Sequence, residues 1–359
     1  MHVIFLVILA GKITKWSRIM IYLLVVIFII VLVMPFLSEF VEKNLEMFLF
    51  VMGLSAALAS GVLNSALFVQ AAQEPVKITL AVFIAGLLFK WFQANLEKSI
   101  LSVSRRMPFR LFAALIVIFL GLISSVITAI IAALVLVLII SALRLDRTSE
   151  VRLTVLACFS IGLGAALTPI GEPLSTIAIS KMKEDFFFLM ELVGPQIIIA
   201  LVFFGIMAAI AVKPPSSGKA SFTKKPASEN YEEIFVRALK IYFFVMGLTM
   251  LGAGFEPLIN HFLIGLNPLL LYWINMISAV LDNATLAAAE ISPSMDHFTV
   301  QSILLGLLIS GGMLIPGNIP NIIAAGKLQI TSKEWAVFGV PFGLVTMIGY
   351  FMLILFSGN

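Results

Sequence analysis

The sequence predicts an all-α polytopic membrane protein built from two inverted-topology repeats, each with a re-entrant helical hairpin and a broken transmembrane helix. Three observations predict it: an apolar composition, an internal duplication, and opposite charge patterns around two matching apolar segments. Of the 359 residues, 61% are hydrophobic and 12% charged, and the mean hydropathy is +1.12. A soluble domain is about 45–50% apolar and about 25% charged, so lipid must be the solvent for most of this chain. At about 20 apolar residues per span there is room for roughly ten crossings. The net charge is +4, from 23 Lys+Arg against 19 Asp+Glu. The basic residues lie between apolar runs, where they set topology, and form no concentrated face of the kind a nucleic-acid partner needs. A lone cysteine, Cys158, excludes an internal disulfide framework. His2, His261 and His297 lie too far apart to make a ligand pattern. No polar segment is long enough to fold as a catalytic domain, and no GxxxxGK[ST] loop occurs, so neither enzyme chemistry nor ATP drive is expected.

Residues 1–19 read as a basic N-terminal segment (Lys12, Lys15, Arg18), with Met20 as an alternative start. The first repeat is expected over 20–212. Its first span is about Ile19–Leu37, followed by the acidic loop Glu39–Glu46 and a second span near Leu45–Asn64. Between 66 and 107 the number of crossings stays open, because 93–106 is amphipathic and basic and suits the interface plane. Leu111–Leu143 is one apolar run of 33 residues, about 50 Å as a helix against a hydrocarbon core near 30 Å. Arg105, Arg106 and Arg110 precede it, and Arg144, Arg147 and Arg152 follow. If positive residues stay inside, the run enters and leaves on one side, with its tip near Ser124, Ser125 and Thr128. Residues 168–173 (TPIGEP) break the next helix mid-membrane. A span follows at about Val193–Val212. Residues 213–235 form a polar, Pro- and Lys-rich linker, expected in the cytoplasm.

The second repeat, 236–359, restates the first in order. FVMGLS (50–55) returns as FVMGLT (244–249), ISSVITAIIAAL (123–134) as ISAVLDNATLAA (277–288), and GEPLSTIAISKM (171–182) as GNIPNIIAAGKL (317–328). The second hairpin, about Pro268–Ile291, lacks flanking arginines and meets Glu290, Asp296 and His297 instead. It should therefore open to the outside and the first to the cytoplasm, the inverted plan of secondary transporters. Lys327 and Lys333 on the cytoplasmic side agree. Lys181 and Lys183 fall outside and count against it.

Paired hairpins with broken helices, and the motifs SAVLDNAT, TPIGEP and PGNIPN, resemble the ion transporter superfamily, over about residues 20–356. The nearest likeness is to its cation-transporter and sodium/proton antiporter branches, where an Asp-Asn pair sits in the hairpin region. Dicarboxylate carriers of that superfamily have a Ser-Asn-Thr signature at each tip, which neither hairpin here carries. The resemblance implies a multi-pass protein of the inner cell membrane, a transported small ion as partner, no bound cofactor, and often a homodimer.

Asp282 sits in a run otherwise apolar from Leu269 to Ala289, where a carboxylate costs about 2.5–3.5 kcal/mol on insertion scales. It is either a cation or proton ligand or a helix cap, and the roles can coexist. Asn283 and Thr285 add neutral oxygens of the kind a hard cation takes. Glu172, between Gly171 and Pro173 at the break, either joins freed carbonyls around sodium or balances a helix dipole. Asp282 aligns with Thr128 and Glu172 with Asn318, so two pseudo-equivalent sites are expected. Glu172, Asp282, Asn283 and Asn318 are the sodium candidates. Ser124, Ser125, Thr128, Thr168, Ser278 and Asn321 are further neutral ligands, against the alternative that helix hydroxyls bond their own backbone. Lys181 and Lys327 read as snorkelling helix ends, and Gly162/Gly164 and Gly311/Gly312 as close packing. The expected function is exchange of Na+ for H+ by alternating access. The rivals are a sodium-coupled carrier of a small anion, a channel, and an intramembrane aspartyl hydrolase, whose Gly-x-Gly-Asp pattern is absent.

Overall fold

The computed structural model describes residues 19–357, apart from scattered positions within 32–43 and 77–89 and the stretches 92–106, 216–230, 263–265, 281–282 and 292–294. The described residues are helical, with no strand among them. Among the described residues four helices are long and apolar enough to cross a membrane: Phe109–Ile127, Phe188–Ala211, Ile234–Pro257 and Ser332–Leu355. These helices and the composition are those of a multi-pass membrane protein. The basic segment 1–18, the amphipathic stretch 93–106 and most of the linker lie outside the described residues, as does Asp282.

The chain divides into two units, 1–76 with 240–264 and 77–239 with 265–359. In the first unit, residues 19–31 form α1, Leu45–Ala59 form α2 and residues 65–76 form α3. The part of α9 (Tyr231–Phe262) from Lys240 onward packs against them. The core is small: Ala57, Ala71, Met246 and Met250, ringed by Phe50, Leu54 and Tyr242. Gly53 faces the Gly247 carbonyl, and Gly247 faces the backbone of Phe50. The two copies of the FVMGL segment therefore touch at their own glycines, where a side chain has no room. Tyr242 donates to the Ala72 carbonyl at 2.8 Å, and Thr249 to Glu74 at 2.6 Å.

The second unit holds both candidate hairpins. Phe109–Ile127 (α4) ends at Thr128, and Ala129–Leu143 (α5) follows. Arg147–Ala165 (α6), the irregular residues 166–172, Pro173–Met182 (α7) and Phe188–Ala211 (α8) complete the first half. Ser160 donates to the Val117 carbonyl, Gly164 lies on Gly121, and Thr168 donates to the Ser125 carbonyl. Equal steps of four on both helices make α4 and α6 parallel, so α5 between them must run back. The second half repeats this order. Pro268–Ile274 (α10) runs into a 3-10 turn, Asn275–Ala279, and Asn283–Glu290 forms α11. His297–Gly311 (α12), a break at 312–318, Ile319–Leu328 (α13) and Ser332–Ser357 (α14) follow. Gly306 abuts Tyr272, and Ser310 donates to the Asn275 carbonyl at 2.7 Å. Thus α10 and α12 are parallel, and α11 returns.

Polar contacts sort the ends of this unit. At one end Arg147 donates to both carboxylate oxygens of Glu334 at 2.7 Å, to Glu150 at 3.1 Å, and to the carbonyls of Leu328 (3.0 Å) and Gln329 (2.6 Å). Arg152 donates to the Ala211 carbonyl at the same end. At the other end His297 approaches Glu184 at 3.9 Å and Gln301 donates to the Leu192 carbonyl at 2.6 Å. The α4–α5 pair opens toward the arginine end and the α10–α11 pair toward the His297 end. Each pair also packs on the other half: α5 against α13, and α11 against α7. On α4, Leu111, Leu115, Phe119, Leu122 and Val126 form an exposed apolar stripe, while Phe112, Ile116, Leu120 and Ser124 are buried. One face meets the unit, and the other is an apolar surface of the kind acyl chains cover.

Two outcomes follow. Arg147 closes the C-terminal carbonyls of α13 and holds Glu334 through a two-pronged pair, so Arg147→Ala should cost about 1–2 kcal/mol despite its exposure. Lysine, a point charge without the planar fork, should recover less than half of that; thermal unfolding in detergent measures both. Gly53→Val should destabilise by about 1–3 kcal/mol or more because its Cβ meets backbone rather than a yielding side chain. A melting temperature equal to that of the wild type would show that the helices can separate there freely.

Candidate functional site

Both breaks in the second unit are tied down by their neighbours. Residues 166–172 fold back on the end of α6, and Gly171 lies on the Ala165 carbonyl, a place no side chain fits. The Gly171 carbonyl accepts the Ala129 N–H at 2.9 Å. The first helix pair thus turns against the break of its own half. Thr176 donates to the Pro169 carbonyl at 2.8 Å, closing the start of α7. In the second half Asn321 spans the break, its Nδ2 donating to the carbonyls of Gly311 (2.8 Å) and Leu314 (2.9 Å). Trp335 closes the Gly312 carbonyl at 3.1 Å.

The turn of the first pair falls at Thr128 alone. Ser124 and Ser125 lie in the last turn of α4, before the turn itself. Their hydroxyls donate to backbone: Ser124 to Gly121 and Ile161, Ser125 to Leu122. Thr168 does the same toward Ser125. These three act first as backbone satisfiers, which leaves only their lone pairs for any other partner. Thr128 has φ +77° and ψ 149°, a backbone region nearly reserved for glycine. Its Oγ1 accepts the Ile131 N–H at 3.4 Å, a long cap on α5.

Glu172 is 6% exposed and stands immediately before α7. Asn318, equally buried, stands immediately before α13. The aligned residues therefore hold the same place in the two breaks. Asn283, 4% exposed, opens α11 as Ala129 opens α5, again as the alignment has it. A Cβ on Gly162 would lie 2.5 Å from Asn318 Nδ2, so α6 of the first half meets the break of the second at a glycine. Cys158 donates to the Pro320 carbonyl one turn away. Asn283 Nδ2 and Asn321 Oδ1 are buried without a hydrogen-bond partner among the described residues. Asp282, Asn283's neighbour, lies outside the described residues, as do the side chains of Thr285 and Ser278. Among the described residues no group of three His, Cys, Asp or Glu side chains forms a metal cluster.

Glu290 is a correction. From the sequence it belongs to an acidic flank beyond the second hairpin. In the structure it is the last residue of α11, 5% exposed, with both carboxyl oxygens buried and unpartnered among the described residues. A signal was available: it follows Asn283 by seven residues, two helical turns, and so shares its face. The packing glycines are as expected at Gly164, which meets Gly121, and at Gly312, which meets Phe159.

The backbone at Thr128 yields one test. Glycine there should relieve about 1–3 kcal/mol of strain and lose only a few tenths from the cap, so Thr128→Gly should raise the melting temperature. A fall would show that the Ile131 cap outweighs the strain.

No curated protein matches the chain. A family described as "Protein of unknown function (DUF1646)" matches residues 21–357, nearly the whole length. The chain therefore belongs to the DUF1646 family.

Proposed function

We propose that this protein is a secondary active transporter of the inner cell membrane that exchanges a small cation, Na+, for H+. In this reading the halves are inverted-topology repeats, and the α4–α5 and α10–α11 pairs are re-entrant hairpins opening to opposite sides. Opposite opening directions and the repeated element order support that reading. Placing the Arg147 end in the cytoplasm follows from its arginines and from Lys327 and Lys333 nearby.

One observation carries the choice of cargo. The charged side chains among the buried described residues are both carboxylic, Glu172 and Glu290. The other buried polar side chains of this unit include the amides of Asn275, Asn283, Asn318 and Asn321 and the hydroxyls of Ser124 and Thr168. Oxygen-rich, acidic and partly unwound surroundings suit a small hard cation. An anion would need a basic partner or an open helix N-terminus. Glu172 already occupies the N-terminus of α7, where the dipole favours its negative charge. Two sites follow. One is formed by the Thr128 turn with the Glu172 break, the other by the Asp282–Asn283 turn with the Asn318 break. Glu172 and Asp282 supply the charge that cation and proton share in turn. Movement of the helix pairs then exposes each site alternately.

The test is proton flux in proteoliposomes loaded with a pH dye, under sodium, lithium, potassium or calcium pulses. The wild type should release protons on a cation pulse, and Asp282→Asn and Glu172→Gln should abolish the response. No response to any cation from folded wild-type protein would overturn antiport. Sodium-dependent uptake of a small anion would then be the reading to pursue.

A further inference from the structure

Glu290 has no part in the two sites above, yet it is buried more completely than an ordinary acid tolerates. Both of its oxygens are sealed from solvent, and neither has a hydrogen-bond partner among the described residues. It lies two turns below Asn283 on α11, about 10 Å along the axis. The polar side chain facing it is Asn275, fully buried in the 3-10 turn of the same pair, close to it but not in hydrogen-bond geometry. Asn275 is itself engaged: its Nδ2 donates to the Ile303 carbonyl at 3.4 Å, and its own carbonyl accepts from Ser310. Its Oδ1 is left without a donor.

The elements packed against α11 are α7 and α12. Their charged groups are Lys181, and Asp296 with His297 at the start of α12, all exposed. Glu184 and Asp185, just after α7, are exposed as well. None of these faces Glu290 as a counter-charge. A bare carboxylate in such surroundings would be desolvated without compensation, which costs far more than burying the neutral acid. The form that fits is the carboxylic acid.

We propose that Glu290 is the proton-carrying residue of the second helix pair, protonated when that pair is closed and releasing its proton when the pair opens toward the His297 end. The proton leaves the carboxyl oxygen for water, and a monovalent cation enters the Asp282 site in exchange. One positive charge replaces another, so the net charge of the closed pair is the same with the proton aboard as with the cation. This deepens the antiport reading and rests on it: at the second pair it moves the proton of that reading from Asp282 to Glu290, leaving Asp282 to hold the cation.

The experiment compares two modes in the same proteoliposomes. Sodium self-exchange at equal pH on both sides needs no net proton movement; sodium-driven proton release does. Glu290→Gln, which imitates the neutral acid, should keep self-exchange and lose proton release. Glu290→Asp should keep both, with a displaced pH profile. Undiminished proton release by Glu290→Gln overturns the assignment while leaving antiport standing. No proton release by the wild type overturns antiport and this role with it. Loss of self-exchange in both variants, with monodisperse protein, would make Glu290 a structural acid and also overturn the assignment.

Discussion

Backbone N–H and C=O groups have no water to bond with inside a hydrocarbon layer, so a chain that interrupts its helices there must satisfy each freed group internally. Among the described residues of the second unit, four interruptions lie at Thr128, at 166–172, at 312–318 and at the 3-10 turn of Asn275, and the contacts show how each is met. The Thr128 turn hands its first free N–H, that of Ala129, to the Gly171 carbonyl. The 166–172 break closes on itself through Thr168 and through Gly171 lying on Ala165. The 312–318 break is spanned by Asn321 and finished by Trp335. The 3-10 turn at Asn275 is anchored by Ser310. The residue choices that look polar and out of place in the sequence are mostly these closures.

That constraint explains what was legible. Long-range order was readable because the aligned segments share it: Ala129 and Asn283 open corresponding helices, and Glu172 and Asn318 each stand just before one. The 33-residue run was readable because it is too long to cross once and is framed by arginines. The turn position was less so, since Ser124 and Ser125 suit a tip and a helix end equally well. In the structure α4 runs on to Ile127, so both lie on the helix, with Ser124 bonded across to α6. Glu290 was hidden for a different reason. Near the end of an apolar segment and ahead of Asp296, it reads as a flank charge, because a sequence carries no depth coordinate. Its two-turn spacing from Asn283 was the sole hint. The touching glycines Gly53 and Gly247 had the reverse property: the repeat exposed them, but only packing shows that they meet each other.

The reciprocal packing has a mechanical consequence. In the second unit the return arm of each helix pair lies on the short helix of the opposite half, α5 on α13 and α11 on α7. The break at Glu172 therefore rests on the first pair through Ala129 and on the second through α11. The break at Asn318 touches α6 through Gly162 and α5 through α13. Neither site belongs to one half. A pair that moved by itself would shear against a helix it packs on and would strip the Gly171–Ala129 bond or its counterpart in an apolar medium, which costs more than the same loss in water. Breaks built this way favour concerted rearrangement, in which the groups around both change together. On the antiport reading proposed above, two cations, or a cation and a proton, would then sense one another without touching, since each biases the same packed set of short helices.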